Sequence, residues 1–363
     1  MPLKEEKKDK IESVYIHIPF CKEICSYCDF CKVYYNEKFV NDYLQALGKE
    51  IELYYKKEYI KTIYIGGGTP SSLKVNELKK LFKIISKFKL DQDLEFTFEC
   101  NINDINKEFL ELLKKNNVNR LSIGVESFNK NILRTLGRDN FKTKDKILLA
   151  KKYFSNINID LIYGIYNQTL NDLKQDLKEF LKLDIPHISI YSLILERNTL
   201  LEINNYQELD EDIVRDMYDT ICKELKDNNY IHYEISNFSK KGYESKHNLT
   251  YWHNNKYYGF GCGASGYINN VRYNNTRSIT NYIKGKFRLD EEIIDKKTDM
   301  ENFMILGLRL IEGINSKDFK EKYNSEIKDI FDVKKLNYKN NMYYIKEEDL
   351  FISNSILKDF INI

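Results

Sequence analysis

Tyr15-Ile-His-Ile-Pro-Phe-Cys21-Lys-Glu-Ile-Cys25-Ser-Tyr-Cys28-Asp-Phe-Cys31 places four of the chain's seven cysteines within eleven residues, directly behind a short apolar run at residues 14–18. In a reducing compartment such crowding points to a metal rather than to a disulfide framework. Three thiolates at the spacing CxxxCxxC can each take one iron of a 4Fe-4S cube, which leaves the fourth iron without a protein ligand. The competing reading is a tetrahedral structural zinc with Cys31 as fourth ligand. Zinc ribbons usually pair two CxxC knuckles, and no second knuckle follows here. Cys100, Cys222 and Cys262 are scattered and read as buried free thiols.

Outward from this stretch, short runs rich in Ile, Val, Tyr and Phe recur at residues 14–18, 62–65, 95–99, 120–125, 157–163 and 187–193. They read as strands. Helical patterns alternate with them at 37–56, 75–87, 106–115, 129–154 (broken near Gly137), 169–183 and 210–227. Strand and helix repeated six times, with crossovers too long for hairpins, require a parallel sheet covered by helices. The class is α/β, as an incomplete barrel or an open doubly wound sheet. From 230 to 282 the helical period fades and Gly, Asn and Tyr accumulate, which predicts an irregular or β-rich cap. Residues 297–363 read as helices followed by a hairpin at 343–352, a small winged-helix-like α+β domain. The expected domains are therefore 1–230, 231–296 and 297–363.

Composition narrows the function. The 363 residues, 42% hydrophobic and 31% charged, suit a soluble globular chain with one large and one small domain and exclude a disordered, collagen-like or membrane-embedded one. Lys+Arg 57 against Asp+Glu 55 leaves a net charge of +2, so no overall field recruits nucleic acid or an anionic membrane. Residues 1–10 are charged without an apolar leader core, and no apolar run reaches ~18 residues, so a cytoplasmic protein is expected. Only nine of the basic residues are Arg, so an Arg inside a motif is informative.

Gly66-Gly67-Gly68-Thr69-Pro70 closes the second strand. Glycines there allow close backbone approach to a ligand. Glu99, Glu126 and Asp160 fall on or at the ends of the next three strands, and Arg138 in a following loop. All emerge with the cysteines at the carboxyl ends of parallel strands, where α/β folds bind ligands.

These motifs, with Arg120-Leu-Ser-Ile-Gly-Val-Glu-Ser-Phe128, Asp160-Leu-Ile-Tyr-Gly164 and Tyr233-Glu-Ile-Ser-Asn-Phe238, resemble those of radical S-adenosylmethionine (SAM) proteins. More narrowly, residues 15–314 are similar to the oxygen-independent coproporphyrinogen III oxidase-like family. The resemblance implies an incomplete parallel (β/α)6 barrel in which Cys21, Cys25 and Cys28 hold the 4Fe-4S cluster, while the methionine end of SAM completes the open iron. It carries SAM-contacting roles to Tyr15, Gly67, Gly68, Thr69, Glu99, Glu126, Arg138 and Asp160, and it places Tyr27 to pack on the adenine. Arg138 suits a bidentate pairing with the methionine carboxylate.

The family joins a decarboxylating oxidase of porphyrin metabolism and a group of heme chaperones of the HemW type. The oxidase has a fourth Cys two places after the third ligand, where this chain has Phe30, and a longer arm than the twenty residues that precede Cys21. His247-Asn248-Leu-Thr-Tyr251-Trp252 matches the HNxxYW signature of the chaperones, with His247 as heme ligand and Tyr251 and Trp252 as flat faces for the porphyrin. The competing reading keeps His247 as a hydrogen-bonded structural residue. The chain departs from the chaperone pattern at Glu126, where Gln is usual, and at Asn140 and Ser265, where His is usual. The resemblance thus implies a heme chaperone with cluster, SAM and heme, an acceptor such as a respiratory enzyme, and an electron donor such as flavodoxin or ferredoxin. Transient contact with a membrane protein and a homodimer are compatible with that role, nucleic acid is not a partner, and oxidative decarboxylation of coproporphyrinogen III is the alternative.

Overall fold

Alternation along each strand decides which side of the sheet each residue meets. The computed structural model describes residues 10–361; nearly all of the charged opening at 1–10 lies outside them. All six expected strands form: β1 (Ser13–Ile18), β2 (Tyr59–Gly67), β3 (Lys89–Asn101), β4 (Arg120–Glu126), β5 (Asn156–Tyr163) and β6 (His187–Ser192). Each pairs in parallel with the next. The connecting helices are α1 (Glu37–Tyr54), α2 (Val75–Ile85), α3 (Lys107–Lys115), α4 (Lys130–Thr135), α5 (Thr143–Lys151) and α6 (Leu170–Leu183), with α7 (Glu211–Asp227) after β6. The pattern at 129–154 resolves into two helices, α4 and α5, with Gly137 at φ +69° between them.

On one parity the strands are apolar. Val14, Ile16, Ile63, Ile65, Phe96, Phe98, Leu121, Ile123, Ile157, Ile159 and Ile188 join the helix faces in one continuous core. On the other parity Tyr64, Glu99, Ser122, Gly124, Asp160 and Tyr191 line a cavity. The sheet thus has a dry face under the helices and a polar concave face. Arg120 lies on the polar parity, 2% exposed, with its charge felt by Glu99 and Asp160.

The segment expected as a cap extends this sheet. β7 (Ile231–Glu234) and β8 (Asn237–Ser239) add antiparallel beyond β6, and β9 (Tyr258–Phe260) adds in parallel to β1. The order is β9-β1-β2-β3-β4-β5-β6-β8-β7, an incomplete barrel. Between β8 and β9 stands the short helix α8 (Lys246–Trp252), which carries the HNxxYW motif in a stretch expected to be without helix. β10 (Ser265–Ile268), β11 (Val271–Asn275) and β12 (Arg288–Ile293) form a separate antiparallel sheet.

At the C-terminal end, α9 (Lys296–Gly307) leads into β13 (Ile314–Asn315), which with β14 (Asn337–Lys339) and β15 (Met342–Tyr344) forms an antiparallel sheet, with α10 (Ser316–Tyr323) between β13 and β14. The hairpin lies earlier than the 343–352 expected. Asn340 and Asn341, both at positive φ (52° and 65°), make its two-residue turn, the conformation that matches strand twist.

Glu50 of α1 ties the later segment to the barrel. It is fully buried and accepts hydrogen bonds from Gly261 N (2.8 Å), Asn275 Nδ2 (2.7 Å), Tyr282 Oη (2.5 Å) and Arg288 Nη1 (3.3 Å). We expect Glu50→Ala to lower stability by about 3–5 kcal/mol, because donors and a guanidinium lose their buried acceptor. Glu50→Gln, which keeps one acceptor oxygen, should lose less; a urea midpoint for Glu50→Ala equal to that of the wild type would refute this role.

Candidate functional site

The loop that carries the cysteines is pinned at both ends. Phe20–Cys21 pairs in parallel with Val33–Tyr34, so residues 22–32 form a closed excursion at the carboxyl end of β1. Cys21 is buried, Cys25 and Cys28 are half-buried, and all three are unbonded thiols. They line one cavity of about 430 Å3 together with Tyr27, Gly67, Gly68, Thr69, Glu99, Glu126, Arg138 and Asp160. Eight of the nine expected SAM-contacting residues therefore converge with the cysteines. Tyr15 does not: it lines a neighbouring cavity, where its hydroxyl bonds His17 Nδ1 at 2.9 Å.

The end of β2 approaches the loop so closely that side chains are excluded. A Cβ on Gly68 would sit 2.8 Å from the Pro19 carbonyl carbon and 2.9 Å from Cys21 Sγ. Gly67 adopts φ +120°, a conformation open to glycine, and its N–H donates to Glu99 Oε2 at 3.1 Å.

Opposite stands a buried ion pair. Arg138 Nη2 donates to Glu126 Oε2 (2.8 Å) and to the Gly124 carbonyl (3.0 Å), while Nη1 lies 3.4 Å from Cys25 Sγ. Tyr27 Oη donates to Glu126 Oε1 at 3.0 Å. Glu126 has φ +60°, uncommon for a residue with a side chain, at the point where the β4–β5 register shifts. Strain of this kind concentrates at functional sites. Burial raises the Glu126 carboxyl while Arg138 opposes it. Asp160 is held by Ser122 Oγ (3.1 Å) and Asn158 Nδ2 (2.8 Å), and burial raises it too. Burial, with Asp160 adding to it, pushes Glu99 up to about 7.

Sequence reading missed Tyr64 and Tyr191 on the cavity wall and the Ser122–Asn158 support of Asp160. The signal was parity: Tyr64 is two residues before Gly66 on β2, and Asn158 two before Asp160 on β5.

Residues 15–180 match the radical SAM superfamily, and residues 294–340 match the HemN C-terminal domain. The chain is 38% identical to "Heme chaperone HemW" of Lactococcus lactis subsp. lactis, over 97% of this chain and 98% of that protein. It is 40% identical to "Heme chaperone HemW" of Bacillus subtilis, over 88% and 89%. The chain belongs to the HemW family of radical SAM proteins. The solved structure of coproporphyrinogen III oxidase (HemN) from Escherichia coli overlays with a TM-score of 0.86, covering 99% of this chain and 92% of that one. At 19% identity the overlay shows a shared fold.

Membership of the radical SAM superfamily implies a 4Fe-4S cluster and SAM. The cavity fits both. Among the described residues no three His, Cys, Asp or Glu side chains converge tightly enough to hold a single metal ion. A cube needs instead thiols spread around one cavity, each for its own iron. Burial pushes Cys21 up to about 11 and raises Cys28, so both release protons when a metal binds.

The HNxxYW residues lie elsewhere. His247 is buried, with Nδ1 bonded to Thr62 Oγ1 (2.8 Å) and Nε2 to Tyr251 Oη (2.8 Å). Burial lowers it to about 3, so the ring is neutral. Trp252 carries a buried Nε1 without a partner, and Arg309 lies over its ring. None of the three lines the cysteine cavity.

Glu99 supplies a pH test. A carboxyl whose folded value is raised contributes stability at pH below its unfolded value of roughly 4.3 and loses it as pH rises through about 7. We expect the cofactor-free protein to lose stability from pH 5 to 8 more steeply than Glu99→Gln does; equal slopes in paired denaturation curves would remove Glu99 from this account.

Proposed function

We propose that this chain is a heme-binding chaperone that carries a 4Fe-4S cluster on Cys21, Cys25 and Cys28, holds SAM in the adjoining cavity, and passes heme to an acceptor protein. The observation that carries the cofactor half is the convergence of three free thiols with Arg138, Glu99 and Asp160 on one cavity. The heme half rests on relatives named as heme chaperones over nearly the whole chain and on the HNxxYW residues.

Cys21, Cys25 and Cys28 would hold the cluster. Gly67, Gly68 and Thr69 offer backbone groups to the amino acid end of SAM, and Arg138 offers its guanidinium to the carboxylate. Glu99 and Asp160 accept from amino or ribose donors. When bound, a reduced cluster beside a sulfonium supplies one-electron bond cleavage. Glu126 shares Arg138 with that carboxylate, so its charge tempers SAM affinity. Tyr15 acts from the neighbouring cavity through His17.

His247 is the heme ligand in this reading, through Nε2. That nitrogen faces the Tyr251 hydroxyl, so coordination requires Tyr251 to turn away. Trp252 then offers an apolar face with Tyr251. The chaperone works in the cytoplasm, with an electron donor for the cluster and a heme-accepting partner. Among the described residues no helix is long and apolar enough to cross a membrane.

Anaerobic reconstitution followed by heme titration tests the whole reading. Cys25→Ala should lose the iron–sulfur spectrum. His247→Ala should weaken heme binding by ~10-fold or more, by analogy with the loss of groups that support a metal ligand. Tyr251→Phe, which frees Nε2, should bind heme at least as tightly as the wild type. A wild type that binds no heme yet converts coproporphyrinogen III with consumption of SAM is an oxidase, and the proposal falls.

A further inference from the structure

Cys31 stands three residues past Cys28, and Cys262 follows β9 more than two hundred residues later. The fold brings them together: their sulfurs lie 3.8 Å apart, both side chains are buried, and neither is in a disulfide. The backbone on each side is fixed. The Cys31 carbonyl bonds His17 Nε2 at 2.7 Å, and Cys262 N–H donates to Tyr43 Oη at 3.1 Å. Gly263, at φ +81°, permits the approach, since a Cβ there would lie 2.3 Å from Cys31 Cβ.

The two thiols differ in access and in acidity. Cys31 lines an open cavity of about 270 Å3 beside Tyr15, His17 and Arg277, whereas Cys262 has no exposure. The contact with Cys262, together with Arg277, holds the Cys31 thiol below its ordinary value, while the same contact pushes Cys262, whose thiol also donates to the Thr276 carbonyl at 3.1 Å, up. Cys31 is therefore the sulfur an incoming oxidant meets first, with a resolving thiol already in place. A disulfide at about 2.05 Å needs closure of under ~2 Å between them.

We propose that Cys31 and Cys262 form a reversible redox pair whose disulfide straps the cysteine loop to the turn after β9, with a small-molecule disulfide as oxidant. The Cys31 thiolate attacks one sulfur of the oxidant and expels the first thiolate. Cys262 gives its proton to that thiolate, attacks the Cys31 sulfur and expels the second. Two protein thiols are oxidised to one S–S bond, one small disulfide is reduced to two thiols, and Cys21, Cys25 and Cys28 remain available to the cluster.

The test treats the cluster-loaded full chain anaerobically with hydroxyethyl disulfide, blocks free thiols, and maps peptides without reductant. The expected result is a Cys31–Cys262 linked peptide, loss of two titratable thiols per chain, unchanged iron content and full reversal by dithiothreitol. Cys262→Ser should stop at a mixed disulfide on Cys31, and Cys31→Ser should leave Cys262 unmodified. Absence of the linked peptide would overturn the proposal. So would a Cys31→Ser protein that reconstitutes with less iron than wild type, because Cys31 would then be a cluster ligand.

Discussion

The contact on which the site depends is the near-touch between the end of β2 and the start of the cysteine loop. Parallel pairing sets His17 opposite Gly66 and Ile18 opposite Gly67. One residue later the strand end runs against Pro19 and Cys21 at distances that leave no room for a Cβ. Gly68 N–H donates to the Ile18 carbonyl (2.9 Å) and Thr69 N–H to that of Phe20 (2.9 Å), so main-chain bonds stitch the loop to the strand, and the Ser72 hydroxyl adds a bond to the Phe20 carbonyl (3.0 Å). A larger residue at 68 would push Cys21 away from the wall that Glu99 and Asp160 complete. The placement of Cys21 thus rests first on main-chain geometry, while Cys25 also meets the Arg138 side chain.

Much of this was legible in the sequence, for a physical reason. The strands bury one apolar face under amphipathic helices, and that alternation survives in short local windows such as Leu121-Ser-Ile-Gly-Val125. The cysteine spacing and the glycine triplet are equally local. What local windows hide is pairing over distance. β7, β8 and β9 are three or four residues long, too short for a periodic signal, and they join the sheet because open edges offer backbone partners. The contacts of Glu50 with Gly261 and Arg288, and of Cys31 with Cys262, span more than two hundred residues. The C-terminal hairpin turns at Asn340-Asn341, ahead of the expected 343–352, because two consecutive Asn residues tolerate the positive φ that its two-residue turn requires.

The polar parity of the same strands explains why titratable groups collect in one place. A sheet that closes only partly leaves its concave face unable to fill with aliphatic side chains, so Arg120, Glu99, Asp160 and Glu126 face one another across it. Each carboxyl is raised by burial. Arg138 offsets this only for Glu126, the acid it touches. The arrangement is costly without a ligand, as strained and desolvated groups generally are. A cationic sulfonium with an ammonium group would satisfy the acids, and its carboxylate would engage Arg138.

Strand β2 gives this chemistry a mechanical neighbour. Its inward residues fall in line: Thr62 bonds His247, Tyr64 packs on the His247 ring at 5.2 Å between centroids, and Gly66 lies against Glu99. Tyr64 also lines the cysteine cavity. One aromatic ring therefore touches both the cysteine cavity and the HNxxYW histidine. Packed interiors have little room to give, so Tyr64 fixes the spacing between the His247 ring and the cavity wall. The two halves of the proposed function share a strand, and the shared residue is an aromatic ring that packs against His247 and Tyr15 and borders the cavity.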